Sequence, residues 1–150
     1  MQNDQGRPRL NILLGSGSDV LDKVFGQFLS RRFQDTHAVR ITIVSPYTAK
    51  EIFRADDAAE FDLFLLVINY IISPKSIFRE KSAGHEEALD LIRILKEKHQ
   101  KPLIGLYLYD SRDPDLKKKI LEAGADFCFS MPFDLEELQR AVSECFMTSA

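Results

Sequence analysis

The sequence contains no tryptophan, only two cysteines and no hydrophobic run of membrane-spanning length. Cys128 and Cys145 are too few for a disulfide framework, and both lie in apolar surroundings. They are therefore expected to be buried free thiols in a reducing cytosol. A membrane helix needs about 20 consecutive apolar residues, so no membrane partner is expected. Because the first ten residues are polar, we also expect no signal peptide.

The chain also lacks a large excess of either charge, since 20 basic and 23 acidic residues are mixed along it and give a net charge of −3. This balance argues against nucleic-acid and membrane-surface partners. A chain of 150 residues that is 45% hydrophobic has the size and composition of one domain with a substantial core. We expect a flexible tail over residues 1–8 and a single domain over 9–150.

Apolar patterning predicts an alternation of strands and helices. Strand-like runs lie at 10–14, 38–44, 61–68, 103–109 and 126–130. Helical spacing or capping signals follow them at 19–33, 48–59, 84–99, 113–124 and 134–146. The first helix has an apolar stripe of Val20, Leu21, Val24, Phe25, Phe28, Leu29 and Phe33. In the fourth helix, Asp113 is expected to cap a first turn that starts at Pro114, with Gly124 as the stop.

Strict alternation of strands and helices predicts an α/β doubly wound five-stranded parallel sheet with helices on both faces. Ligands of such folds bind beyond the carboxyl ends of the strands. The residues that leave strands one, three, four and five therefore matter most: 15–18, 67–69, 107–109 and 130–132.

Three runs carry a resemblance to a known family. They are "KPLIGLYLYDSRDPDLKKKILEAGADFCFSMPFDLEELQRAV" at 101–142, "FDLFLLVIN" at 61–69 and "DVLDKVFGQFL" at 19–29. Over residues 9–147 the chain resembles the response-regulator receiver domain. The resemblance implies the flavodoxin-like strand order 2-1-3-4-5 and a cytoplasmic role in bacterial two-component signalling.

The family's phosphorylation chemistry needs five groups, and the resemblance implies that this chain has replaced all of them. Two acids that bind a divalent cation fall on Gly15 and Ser16. The phosphoryl-accepting aspartate falls on Val67, the hydroxyl after strand four on Tyr107, and the lysine after strand five on Met131. We therefore expect an atypical pseudo-receiver that is not an enzyme, has no cofactor or metal, and signals through protein–protein interaction.

A second substitution concerns the family's conformational switch, which couples the hydroxyl after strand four to an aromatic residue of strand five. That aromatic position falls on Cys128. The resemblance thus implies that the large Tyr107 stands in place of a small hydroxyl residue, and that the small Cys128 stands in place of a large aromatic residue. Either the Tyr107 ring locks the output face in one conformation, or the pair is a volume-conserving change without function.

Other candidate sites are weaker. The loop of Gly15, Ser16, Gly17 and Ser18 could bind an anion or nucleotide at a helix start, or could merely have replaced the acids. It lacks the third glycine of a dinucleotide loop and the lysine of a Walker loop. His85-Glu86-Glu87 lacks a second histidine four residues on, which argues against a metal. Ser16, Ser18 and Ser130 lack a His–Asp set, which argues against nucleophilic catalysis.

Two further features suggest contacts with other molecules. A basic patch on the fourth helix comprises Arg112, Lys117, Lys118 and Lys119, with Asp115 and Glu122 nearby. It is either a solvated surface or, as in the family, part of an output face for a protein partner or homodimer. The long connection over 69–84 is a lid, a partner anchor or an extra packed turn.

Overall fold

The computed structural model describes residues 7–45, 47–68, 82–108, 114–131 and 134–149. Asp113, the predicted cap of the fourth helix, lies outside these residues. So do most of the connection over 69–84 and Arg112 in the basic patch, and what was predicted for these two stays a prediction.

Five strands alternate with five helices, as the patterning predicted. The strands are β1 (Arg9–Gly15), β2 (Ala38–Ile43), β3 (Leu63–Val67), β4 (Leu103–Leu108) and β5 (Phe127–Met131). The helices are α1 (Asp19–Phe33), α2 (Ala49–Ala58), α3 (Ser82–His99), α4 (Leu116–Ala123) and α5 (Leu135–Ser149). All four strand pairings are parallel and the order is β2-β1-β3-β4-β5. The predicted fold class and strand order are confirmed.

Local contacts explain four of the helix boundaries. Ser18 and Thr48 are the N-caps of α1 and α2, and their hydroxyls accept hydrogen bonds from the backbone of the first turn. Asp134 does the same before α5, where its Oδ1 accepts from the Glu136 backbone nitrogen at 2.9 Å. Gly124 ends α4 with φ +127°, a conformation that favours glycine.

The predicted start of the fourth helix was wrong. Pro114 lies in a turn, and α4 begins at Leu116 with Asp115 as its N-cap. Asp115 has φ −95° and ψ 14°, which is not helical, and its carbonyl accepts the hydrogen bond from Lys119 across the first turn. The proline signal thus marks the turn before the helix rather than the first helical residue.

The sheet separates two buried clusters. Helices α1 and α5 cover one face, where Leu10, Ile12, Leu14, Leu63, Leu65 and Val67 meet Phe25, Leu29 and Leu138. Helices α2, α3 and α4 cover the other, where Leu13, Phe64, Leu66 and Tyr107 meet Ile52, Leu91 and Ile120. Central strands buried on both faces read as continuous apolar runs, which is why "LFLLV" in β3 is entirely buried.

The apolar stripe predicted for α1 is only partly correct. Phe25, Leu29 and Phe33 are buried, but Val20 and Val24 are 70% and 42% exposed. Asp22 takes the inward position instead. Asp22, Phe25, Leu29 and Phe33 follow the i, i+3, i+7 spacing of one helical face, and this spacing turns both valines outward.

An ionic cluster joins α2 to α3 at the amino-terminal end of the sheet. Asp56 is buried, and its Oδ2 accepts from Lys98 Nζ at 3.1 Å and lies 2.8 Å from His99 Nε2. The His99 ring packs on Phe64 with ring centroids 5.8 Å apart. Burial of a carboxylate is stabilising only when it is paired, so the two helix ends depend on each other.

Both cysteines are free and buried, as predicted. Within the described ranges, no helix combines the length and the apolarity that crossing a bilayer requires.

Candidate functional site

The five positions that the resemblance assigns to a phosphosite lie at one edge of the sheet. Gly15 is the partner of Leu66 in the β1–β3 register, and Val67 is the partner of Leu106 in the β3–β4 register. The ends of β4 and β5 pair in the same way, so Tyr107 and Met131 lie at this edge too. The predicted convergence at the carboxyl ends of the strands is therefore present.

An aromatic ring fills the space next to β1. Tyr47, in the loop after β2, is 96% buried, and it packs directly on Gly15. A Cβ atom at Gly15 would lie 2.6 Å from Tyr47 Cε1 and 2.8 Å from Cδ1. Non-bonded carbon atoms approach to about 3.5–4.0 Å, so a side chain at Gly15 would require the ring to shift. The resemblance assigns this position to a metal-binding acid.

Beneath the ring, a serine and an acid form a buried pair. Ser16 is fully buried, and its hydroxyl donates to Asp22 Oδ1 at 2.6 Å. Burial raises the pKa of Asp22; the hydrogen bond from Ser16 opposes the rise, and the nearby Asp19 charge adds to it. Asp22 is thus an acid held inside the fold by Ser16, through both its hydroxyl and its backbone, rather than a solvent-facing ligand for a cation.

The Tyr47 hydroxyl is also buried in this region. It lies near Asp22, and it also has a weak polar contact with the Val67 backbone, but no group within the described part of the chain meets the geometry of a full hydrogen bond with it. Burial, with a further contribution from Asp22, raises the pKa of Tyr47 well above its ordinary value, so the phenol stays protonated. A buried hydroxyl without a partner costs about 1–3 kcal/mol, so the packing of the ring must outweigh this penalty.

Two of the remaining three positions are apolar. Val67 is fully buried and belongs to the cluster beneath α1 and α5. Met131 is partly buried and packs against the same cluster. Neither side chain has an oxygen or a charge that could accept, pair with or orient a phosphoryl group.

Tyr107 and Cys128 lie on the other face of the sheet, in the cluster beneath α2, α3 and α4. Burial raises the pKa of Tyr107; Cys128 adds to the rise, and a side-chain hydrogen bond with Ser130 opposes it. Burial also raises the pKa of the Cys128 thiol to about 12, against the opposing charge of Lys117. Tyr107 and Cys128 are therefore close to each other, as the paired exchange of a large and a small residue implied. That the Tyr107 ring locks the output face in one conformation stays a prediction.

The glycine-serine loop is occupied by its own hydrogen bonds. Ser16 Oγ accepts from the Ser18 backbone nitrogen at 3.0 Å, and Ser18 Oγ accepts from Leu21 as the cap of α1. Gly17 adopts φ +76°, which favours glycine and allows the turn between strand and helix. These hydrogen bonds fix the conformation of the loop next to Asp22.

The basic patch of α4 is exposed where the structure describes it. Lys117, Lys118, Lys119 and Glu122 are all exposed, and Leu121 among them is 41% exposed. A shallow cleft lies along this helix and includes Pro114 and Leu121. Among the described residues, no group of three His, Cys, Asp or Glu side chains is arranged to hold a metal ion.

Sequence reasoning missed the two residues that close the site. Tyr47 follows a serine-proline break and has no motif of its own, so no local signal identified it. Asp22 did leave a signal, because it shares a helical face with Phe25 and Leu29. An acid on an otherwise apolar face indicates a buried polar contact.

No protein-family model matches the chain, and no curated protein matches it. Solved structures do resemble it. A two-component response regulator from Clostridium difficile shares 18% identity at TM-score 0.70, over 93% of this chain and 97% of that one. The receiver domain of the TMAO respiratory system response regulator TorR shares 19% at TM-score 0.70, over 93% and 98%.

A response regulator from Thermotoga maritima shares 19% identity at TM-score 0.67, over 91% of this chain and 97% of that one. Identities this low establish architecture rather than activity. The strand order, the alternation of elements and these likenesses agree: the chain has the fold of the response-regulator receiver domain.

Proposed function

We propose that this chain is a phosphorylation-independent, receiver-like signalling module that acts through protein–protein interaction in the bacterial cytoplasm. The observation that carries the proposal is the buried Tyr47 ring on Gly15, which occupies the pocket where receiver chemistry needs an acid. Val67 and Met131 support it, because a phosphoryl group between them would lose its hydration without gaining a cation. In this proposal the fold is kept as an interaction surface.

The output face in this proposal consists of α4, β5 and α5. On α4, the exposed Leu121 stands among Lys117, Lys118 and Glu122. An apolar centre with a charged rim is typical of protein interfaces, and charges of both signs allow the self-complementarity of a two-fold contact. The partner is a protein of a signalling pathway or a second copy of this chain.

The alternative is a small-ligand or anion sensor at Gly15–Ser18, and it has less support. The Ser16 hydroxyl donates to Asp22, and the Ser18 backbone nitrogen donates to Ser16, so both donors are already used. An anion in this loop would also lie close to a buried carboxyl group. Neither observation favours an anion-binding cradle.

The phosphosite part of the proposal is tested by amide NMR spectra of the chain with Mg²⁺ and then with beryllofluoride, a phosphoryl mimic. We expect no shifts at Gly15, Val67 or Met131, while a phosphorylatable receiver domain treated identically shows them. Saturable shifts at these residues would overturn the proposal and favour the sensor alternative.

The interaction face is tested with two matched variants. Leu121 and Val24 are almost equally exposed, at 41% and 42%, but lie on different helices. Leu121→Glu is expected to abolish concentration-dependent self-association in analytical ultracentrifugation, and Val24→Glu to leave it intact. If Val24→Glu is the disruptive variant, the output face is wrong; a monomer at all concentrations would exclude the homodimer.

A further inference from the structure

One cleft among the described residues lies away from the strand carboxyl ends. It occupies about 690 Å³ beside the beginnings of β1 and β2 and the end of α1. Its polar side chains include Arg7, Arg9, Arg40, His37, Asn11 and Gln34. None of the lining residues is a carboxylate, so the cleft, called here the basic cleft, presents mainly hydrogen-bond donors and positive charge.

Strand register brings the two strand arginines to one side of the cleft. Asn11 and Arg40 are Cα partners across β1 and β2, and partners on neighbouring strands stand about 4.8 Å apart with side chains on the same face. Arg9 lies two residues before Asn11, so it shares that face. Arg9 and Arg40 therefore flank Asn11 on a single surface.

The two guanidinium groups differ in how far they are already paired. Arg9 uses Nε and Nη2 toward Asp62 and Glu60, at 3.4 Å and 3.7 Å, which leaves Nη1 for another acceptor. Arg40 is exposed and has no carboxylate within ion-pair distance in the described ranges. Arg40 thus supplies a positive charge that no carboxylate of the described residues offsets. Arg9 supplies a hydrogen-bond donor whose orientation is fixed by its contacts with Asp62 and Glu60.

The carboxyl end of α1 would normally repel an anion at this place. Arg7 offsets this effect, because its Nη1 donates to the carbonyl oxygen of Gln34, the C-cap residue of α1. The guanidinium covers the helix end and adds its own charge to the cleft. The local field therefore favours a negatively charged occupant.

We propose that the basic cleft binds a small molecule that carries phosphate groups. Guanidinium groups match phosphate oxygens with paired hydrogen bonds, and two of them on one face suit two phosphate groups or one bridging group. A volume of about 690 Å³ exceeds a lone phosphate and falls within the usual range for small-molecule sites. The half-buried Ala38 and Val39 in the lining would contact the organic part.

The test is a titration of the ¹⁵N-labelled 150-residue chain with inorganic pyrophosphate at constant ionic strength. We expect saturable amide shifts at residues 9–11 and 38–40. Arg40→Gln should weaken binding about tenfold, the value of one charge-assisted hydrogen-bond pair. Arg140→Gln makes the same charge change at an exposed site on α5, and should alter the affinity by less than about twofold because distant charges are screened.

Four results would overturn the proposal. Shifts that grow without saturation, or equal losses in both variants, would mean only general attraction of anions. Tighter binding of a glutamate peptide than of pyrophosphate would identify an acidic protein segment as the ligand. Saturable shifts at Gly15–Ser18 instead would move the anion site to the other end of the sheet. Arg40 is exposed and makes no ion pair among the described residues, so its replacement should leave the fold intact.

Discussion

Replacing Gly15 by alanine tests the contact with the Tyr47 ring on which the proposed independence of phosphorylation rests. The new Cβ atom would lie 2.6 Å and 2.8 Å from two atoms of the Tyr47 ring. To restore ordinary contact, the ring must move by about 1 Å, yet only 4% of Tyr47 is exposed and it has no free space to enter. The ring must therefore displace neighbouring core residues.

Overpacking of this kind costs about 1–3 kcal/mol, and we expect Gly15→Ala to lower the free energy of unfolding by that amount. The cost is purely steric, because Gly15 has no left-handed φ. Urea unfolding followed by circular dichroism measures it. Gly26→Ala is the matched control: nothing lies within 4 Å of the new Cβ in α1, and the change should stabilise by about 0.5–1 kcal/mol.

A double-mutant cycle identifies the ring as the cause. Tyr47→Leu removes the atoms that clash, so the pair Gly15→Ala/Tyr47→Leu should be less destabilised than the sum of the single changes, by about 1 kcal/mol or more. Additive effects would show that the ring does not rest on Gly15. A cost below about 0.5 kcal/mol for Gly15→Ala alone would refute the closed site directly.

Three other variants follow from buried polar groups. Tyr47→Phe removes a hydroxyl that has no partner among the described residues and should raise the unfolding free energy by about 1 kcal/mol in urea; a loss would reveal a hidden partner. Burial raises the pKa of Asp22 above 3.8, so the folded chain favours the protonated form of this carboxyl group. The stability that protonated Asp22 contributes is fully present below that pH and is lost as the pH rises through the folded-state pKa. Asp22→Asn should therefore gain stability relative to the parent chain as the pH rises above about 4, and a constant difference would contradict the burial. Asp56→Ala leaves Lys98 and His99 without their shared acceptor and should lower the free energy of unfolding in the same assay; a neutral effect would mean that the pair is solvated.

Local patterns in the chain were sufficient for the architecture. Hydrophobic periodicity and capping residues act over a few neighbours, so "LFLLV" could be assigned to a doubly covered strand and Thr48 to a helix start without knowledge of the rest. The carboxyl-end location of the site then follows from parallel topology alone. The absence of acids at Gly15 and Ser16 was likewise visible in the residues themselves.

The closure of the site was decided at a longer range. Tyr47 is 32 positions from Gly15 along the chain, and it reaches Gly15 only because the β2–α2 loop returns to the end of β1 when the sheet forms. Local sequence also did not decide which side of α1 faces inward, since Val20 and Asp22 each fit an amphipathic pattern. In the folded chain Asp22 is buried and Val20 is exposed. Periodicity specifies that a helix has an inner face, whereas shape complementarity between distant segments selects which residues occupy it.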